Sequence, residues 1–180
     1  ITVSRAEGTL TYPASFILVA SKNPCPCGFS TDPERQCTCS SSQISGYKKK
    51  ISGPLLDRID LHVEVPRVKF EKLTSNEQAE SSTKIRARVA TARDRQTARF
   101  KDCNIHTNGE MGNKEIRSFC QLDDQSLQLL RTAVVQMHLS ARGYNRILKV
   151  SRTIADLDNQ DNIQISHIAE ALQFRPQMEF

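Results

Sequence analysis

The stretch from Pro24 to Gly46 narrows the possible folds more than any other. It is rich in Pro, Gly, Cys and Ser and carries neither helical nor strand periodicity. A loop of that length is uncommon inside a compact domain unless something holds it. This one contains Cys25-Pro26-Cys27 and Cys37-Thr38-Cys39, while the other two of the six cysteines, Cys103 and Cys120, lie far along the chain. With no secretory signal, clustered cysteines point to metal before disulfides. Four thiolates suit tetrahedral Zn²⁺, and Gly28 to Gln36 is long enough to bring the two pairs together. The CxC spacing is tighter than the usual CxxC knuckle. Reduced thiols, disulfides formed on isolation and an iron–sulfur cluster therefore stand beside zinc as readings of Cys25, Cys27, Cys37 and Cys39. Ligation would couple to folding and order the loop.

The flanking patterns are more regular. Ile1, Val3, Leu10 and Tyr12 fit a β-hairpin with its tip near Arg5 to Gly8, closed by Pro13. Phe16 to Ala20 is a continuous apolar run, as expected of a central strand in a parallel sheet. Ile59, Leu61, Val63 and Val65 alternate with polar residues, a half-exposed strand stopped by Pro66. Beyond it, residues 76–99 read as a polar helix carrying Lys84, Arg86, Arg88, Arg93, Arg95 and Arg99, with little apolar face beyond Ile85, Val89 and Ala92. Residues 101–113 read as a Gly/Asn-rich loop. Three helices are expected after it. In the first, Leu127, Leu130, Val134 and Met137 share a face, and Asp123 or Asp124 caps the start. In the second, Ile147, Val150, Ile154 and Leu157 share a face. In the third, Ile168 and Leu172 follow Ser166 as N-cap. Residues 1–66 thus read as the end of an α/β domain with a Cys-rich loop at 24–46, and 67–180 as an all-helical domain. The whole is predominantly helical.

Composition limits the function. At 180 residues the chain can bury one good core or two small ones. No apolar run approaches the roughly 18 residues of a membrane span, so no membrane partner is expected. A net charge of +5 permits nucleic-acid contact without establishing it. The absence of Trp and the 6% aromatic content argue against base-stacking platforms. His62, His106, His138 and His167 form no HExxH pattern, and Ser41 and Ser42 sit in no nucleophile elbow. Ile1 follows neither an initiator Met nor a signal pattern, so the chain reads as a cut through an existing domain.

Four residues stand out individually. Asn23 follows the apolar run, where α/β sheets bind ligands, although it also suits a turn before Pro24. At Gly53-Pro54-Leu55-Leu56 a turn is forced and anchored, so Asp57-Arg58 projects; the plain reading is a surface salt bridge between these two or their neighbours. Arg142 and Lys149 point away from Ile147 and Ile154 at 100° per residue, the usual solvated face of a helix. Arg5 lies at the hairpin tip.

Three runs occur in an order that resembles one family. They are Asn23-Pro24-Cys25-Pro26-Cys27-Gly28, Ser52-Gly53-Pro54-Leu55-Leu56-Asp57-Arg58-Ile59-Asp60 and Tyr144-Asn145-Arg146-Ile147-Leu148-Lys149-Val150-Ser151-Arg152-Thr153-Ile154-Ala155-Asp156-Leu157. Together they resemble the magnesium-chelatase-like AAA+ ATPases of the ComM/YifB competence group, over nearly the whole chain. The resemblance implies the remnant of an AAA+ core, with its sensor-1 strand, following strand and β-hairpin, joined to a helical lid. It implies that Asn23 orients the water attacking the γ-phosphate and that Arg58 is an arginine finger reaching a neighbouring subunit. Arg142 would be the sensor-2 contact to nucleotide, with Arg146 and Arg152 weaker candidates for DNA or subunit contacts. Arg5 would touch a nucleic-acid backbone from a pore hairpin. ATP and Mg²⁺ would be the cofactors, with identical subunits in a hexameric ring and branched or single-stranded DNA as partners. The location would be cytoplasmic and the activity branch migration during DNA integration. The GxxxxGK[ST] loop and the acidic Walker B strand are absent from this sequence. Hydrolysis is therefore expected of a longer parent and not of this chain alone. A chelatase- or chaperone-like remodeller of protein, docking through the Cys loop, is the alternative.

Overall fold

A computed structural model describes residues 1–14, 16–68 and 79–175. It is predominantly helical, with one two-stranded sheet. The chain divides into two compact units, the first Ile1–Lys50 and the second starting at Ile51.

In the first unit, β1 (Thr2–Arg5) and β2 (Gly8–Thr11) form the expected antiparallel hairpin, with Val3 opposite Leu10 and Arg5 opposite Gly8. One face carries a hydroxyl ladder, Thr2 to Thr11 and Ser4 to Thr9, each 3.1 Å. The Ile1 ammonium donates to the Tyr12 carbonyl at 2.7 Å and closes the open end. Phe16 to Ala20 is not a strand: it carries no ladder bonds, and Ile17 is 91% exposed. An apolar run becomes a central strand only where neighbours pair with it on both sides, and no described strand pairs with it. Residues 59–65 are not a strand either: the His62 N–H bonds the Phe174 carbonyl, past a helix end, no described strand pairs with the segment, and Val65 is 86% exposed. The expected loop at 24–46 is shorter: its last residues belong to helix α1 (Ser41–Lys48), started by a reciprocal cap in which the Ser40 N–H donates to Gln43 Oε1 at 2.8 Å.

The second unit opens with the short helix α2 (Gly53–Leu56), whose Ser52 N-cap and N-terminal Pro suit a forced turn. The basic helix is α3 (Ser82–Arg99); residues 76–78 of the expected stretch lie outside the described residues. A 3₁₀ turn (Asn108–Glu110) follows, then α4 (Asn113–Phe119), α5 (Asp124–Gln136), α6 (Ala141–Leu157) and α7 (Ile165–Gln173). Four helices thus follow α3 among the described residues where three were expected. The expected loop at 101–113 holds the buried Asn108 and Met111.

The core gathers Phe100, Met111, Ile116, Leu130, Ile147 and Ile168 around α6, which packs on α3, α4 and α7. Asp123 caps α5, accepting the Ser126 N–H at 2.7 Å, and that bond holds its carboxyl below the usual range. The α5 stripe is rotated from the expected one. Leu130 and Ala133 are buried, Leu127 is exposed, and Met137 lies just past the last turn. For α7 the N-cap is Gln164 and not Ser166. The Gln164 N–H donates to His167 Nδ1 at 3.0 Å, so the proton sits on Nε2 and points at Asp158 Oδ2, 3.3 Å away. Asn159, in the left-handed region at φ 58°, stops α6, and the Gln160 N–H closes back on the Ala155 carbonyl at 2.8 Å.

The least expected feature is ionic. The Asp156 carboxylate is fully buried on α6. It accepts from Arg99 at 2.7 and 2.5 Å and from Asn108 Nδ2 at 2.8 Å, and Arg152 Nη2 lies 3.3 Å away. Arg99 and Arg152 are themselves largely buried. Removing the carboxylate strands two guanidinium groups in the core. Asp156→Ala is expected to cost about 3–5 kcal/mol, read as a lower urea midpoint by circular dichroism. Exposed Leu127→Ala, by contrast, should stay within about 0.5 kcal/mol.

Candidate metal centre and arginine sites

The Cys-rich loop folds so that Cys25, Cys27, Cys37 and Cys39 bring all four Sγ atoms within 4.8 Å of one another. Cys25 to Cys27 is 3.4 Å, Cys27 to Cys37 3.5 Å and Cys25 to Cys37 3.8 Å. Tetrahedral ligands at zinc–sulfur distances of about 2.3 Å lie roughly 3.8 Å apart, so the cage fits one ion of that size. Thiolates on separate irons of a cluster would stand farther apart. All six cysteines are free thiols.

Local sequence explains the cage. The Gly28 N–H bonds the Cys25 carbonyl at 3.0 Å, and Gly28 takes φ 84°, a conformation open to a residue without Cβ. Asp32 Oδ1 accepts the N–H groups of Glu34 (2.9 Å) and Arg35 (3.0 Å), and the Arg35 guanidinium lies 3.9 Å from the centre of the Phe29 ring. These contacts turn the chain back and align the second CxC pair with the first. The backbone N–H groups of Phe29 and then Thr38 pull the Cys27 thiol down to about 5. At Cys39 the Cys27 N–H pulls the same way, but burial and the neighbouring sulfurs push the thiol up to about 12. Four sulfurs so close cannot all be thiolates without a cation among them.

Asn23 is exposed and lies beside this turn, its side chain about 4.0 Å from where a Gly28 Cβ would stand. Arg5 is exposed at the hairpin end.

In the second unit the Asp57-Arg58 pair separates. Asp57 is drawn inward: Oδ1 accepts from Arg175 Nη2 at 3.0 Å and Oδ2 from Ser140 Oγ at 3.3 Å. Its carbonyl accepts from Arg146 Nη1, and Arg146 Nε also pairs with Asp60. Arg58 turns outward and is exposed, its Nη1 donating to the Pro54 carbonyl at 2.7 Å. The Asp57–Arg58 pair itself is therefore not formed, while Asp57 and the nearby Asp60 pair with Arg175 and Arg146. Arg142, in the first turn of α6, is exposed and has no ionic or hydrogen-bond partner among the described residues.

Other basic residues are committed internally. Arg152 is buried and donates to the carbonyls of Asp161 and Gln160, each at 2.7 Å. With Arg146 tied to Asp57 and Asp60, neither is a free contact for DNA. Lys149 does not share the solvated face of Arg142: it is half-buried and donates to the Gly109 carbonyl at 2.9 Å. On α3, Arg95 pairs with Asp161, Arg99 with Asp156 and Arg88 with Glu80, while Lys84 and Arg86 stay exposed. Sequence reading overlooked Asp57, Ser140 and Arg175 as one group. Ser140 alone left a signal, as a hydroxyl one residue ahead of an amphipathic helix.

The profile for the C-terminal region of magnesium chelatase subunit ChlI matches residues 79–175, and that for magnesium chelatase subunit ChlI matches 1–73. The chain is 40% identical over 176 residues to competence protein ComM of Haemophilus influenzae. It is 39% identical over 176 residues to YifB of Escherichia coli, and 37% over 175 residues to the uncharacterized protein Mb2921c of Mycobacterium bovis. These matches take in 97% of the chain but only 33–34% of each relative, so the chain spans about a third of their length. No described helix is long and apolar enough to cross a membrane. With both profiles matched in order along its length, the chain belongs to the magnesium chelatase ChlI family, and 97% of it is similar to about a third of ComM and of YifB.

Proposed function

We propose that this chain is the sensor, finger and lid portion of a ring-forming, ATP-driven DNA motor that promotes branch migration while incoming DNA is integrated in the cytoplasm. The observation that carries the reading is the divergence of Asp57 and Arg58. One is anchored to the helical unit, and the other is left exposed at a turn capped by Ser52 and stiffened by Pro54. A guanidinium presented in this way suits stabilising charge on a phosphoryl group held by the next subunit. Arg142, exposed in the first turn of α6, suits contact with nucleotide in its own subunit. Asn23 would orient the attacking water, since an amide both donates and accepts. Arg5 would meet the DNA backbone, where phosphate contacts give affinity without sequence choice. The competence name of the Haemophilus relative supports DNA as the substrate. ATP and Mg²⁺ would be held largely by the parent outside this chain, because its sequence has no GxxxxGK[ST] loop.

The four-cysteine cage is read as a structural Zn²⁺ site, closed by protein ligands on every side. A protein remodeller, docking partners through this loop, is the second reading; the Pro/Ser-rich loop gathered around the four cysteines favours it.

Arg58→Ala in the full-length protein is expected to lower ATP turnover by about 10³-fold or more while ATP affinity changes little; wild-type turnover would refute the finger role. Elemental analysis is expected to find about one zinc per chain, lost with Cys27→Ser along with the order of the loop. Folded, metal-free wild-type protein would contradict the zinc reading.

A further inference from the structure

Outside the cysteine cage and the Asp156 network, a third polar grouping surrounds Asp57. Its two carboxylate oxygens reach different elements. Oδ2 accepts from Ser140 Oγ at 3.3 Å, and that same Oγ accepts the Gly143 N–H at 3.0 Å and so caps α6. Oδ1 accepts from Arg175, two residues past the end of α7, at 3.0 Å. The Asp57 carbonyl and the Asp60 carboxylate are both held by Arg146 from the second turn of α6. Downstream, the His62 N–H bonds the Phe174 carbonyl at 2.9 Å. The segment carrying Arg58 is therefore fastened to the helix that carries Arg142 and to the end of the helix packed on it.

The burial pattern shows that Asp57 matters within this group. The Arg175 side chain is 6% exposed, and its Nε and Nη1 are buried without a hydrogen-bond partner. Among the described residues Asp57 provides its carboxylate. A buried cation with one anionic partner fixes the position of that partner closely. Arg58, the next residue, is held among the described residues by its own turn, through the Pro54 carbonyl.

We propose that Asp57 is a positioning residue that sets the aim of Arg58 from the lid, through Ser140 and Arg175. Movement of α6 on nucleotide contact at Arg142 is then transmitted to the finger offered to the neighbouring subunit. The inference rests on the finger reading of Arg58 and adds a route by which one subunit's nucleotide state adjusts the next subunit's catalysis. A finger displaced by about 1 Å loses on the order of 10²-fold in rate while leaving ATP binding alone.

The test is steady-state ATP turnover by the full-length protein, with nucleotide affinity and melting temperature measured in parallel. Asp57→Asn is expected to lower kcat by about 10- to 100-fold with little change in nucleotide affinity. In an Arg58→Lys background, which keeps a cation with poorer geometry, Asp57→Asn should lower kcat much less than it does alone, because both act through one guanidinium. Arg175→Met removes the same tie without stranding a buried cation and should lower kcat in the same direction. A folded Asp57→Asn or Arg175→Met protein with wild-type kcat would overturn the proposal, as would a full additive loss on top of Arg58→Lys. Wild-type turnover by Arg58→Ala would instead remove the finger reading beneath it.

Discussion

The buried carboxylate of Asp156 is the interaction around which the helical unit is organised. It joins α6 to α3 through Arg99 and to the 3₁₀ turn through Asn108, and Arg152 approaches it from one turn back on its own helix. Each buried charge is expensive alone, and together they form an arrangement in which every partner is required. That requirement fixes the packing of α3 against α6, and the apolar contacts of Phe100, Leu130, Ile147 and Ile168 fill the space around it. With α6 fixed, its N-terminus becomes a defined platform for Ser140, Arg142 and Arg146.

The first unit has a different basis. Its hairpin is exposed on both faces and its apolar run lacks strand partners, so burial of hydrophobic surface contributes little. Four converging sulfurs and the turns that deliver them supply the organisation. Metal ligation of that kind would replace the core that the segment does not have.

Helices were legible in the sequence where a capping residue and 3.6-residue periodicity agreed, as at Asp123. The convergence of the four cysteines was legible too, because a loop of that length needs something to hold it. Strands at 16–20 and 59–65 were misread because periodicity records what a segment is suited to pair with, and pairing needs a neighbour. Arg152 was read as a candidate for DNA or subunit contacts and Asp156 was not singled out, because charged residues are rarely buried and their mutual neutralisation is visible only in three dimensions. The same limit hid Asp57 and Arg175, which lie more than a hundred residues apart and meet at 3.0 Å.

The parts assigned to catalysis all serve one account, in which nucleotide turnover is coupled to movement of DNA. The most direct test is ATP hydrolysis by the full-length protein with and without a branched DNA substrate, while strand exchange is followed in the same reaction. The account predicts turnover stimulated by the branched substrate and coupled to movement of the branch. Turnover indifferent to DNA, with no branch movement, would contradict it and favour a remodeller of protein.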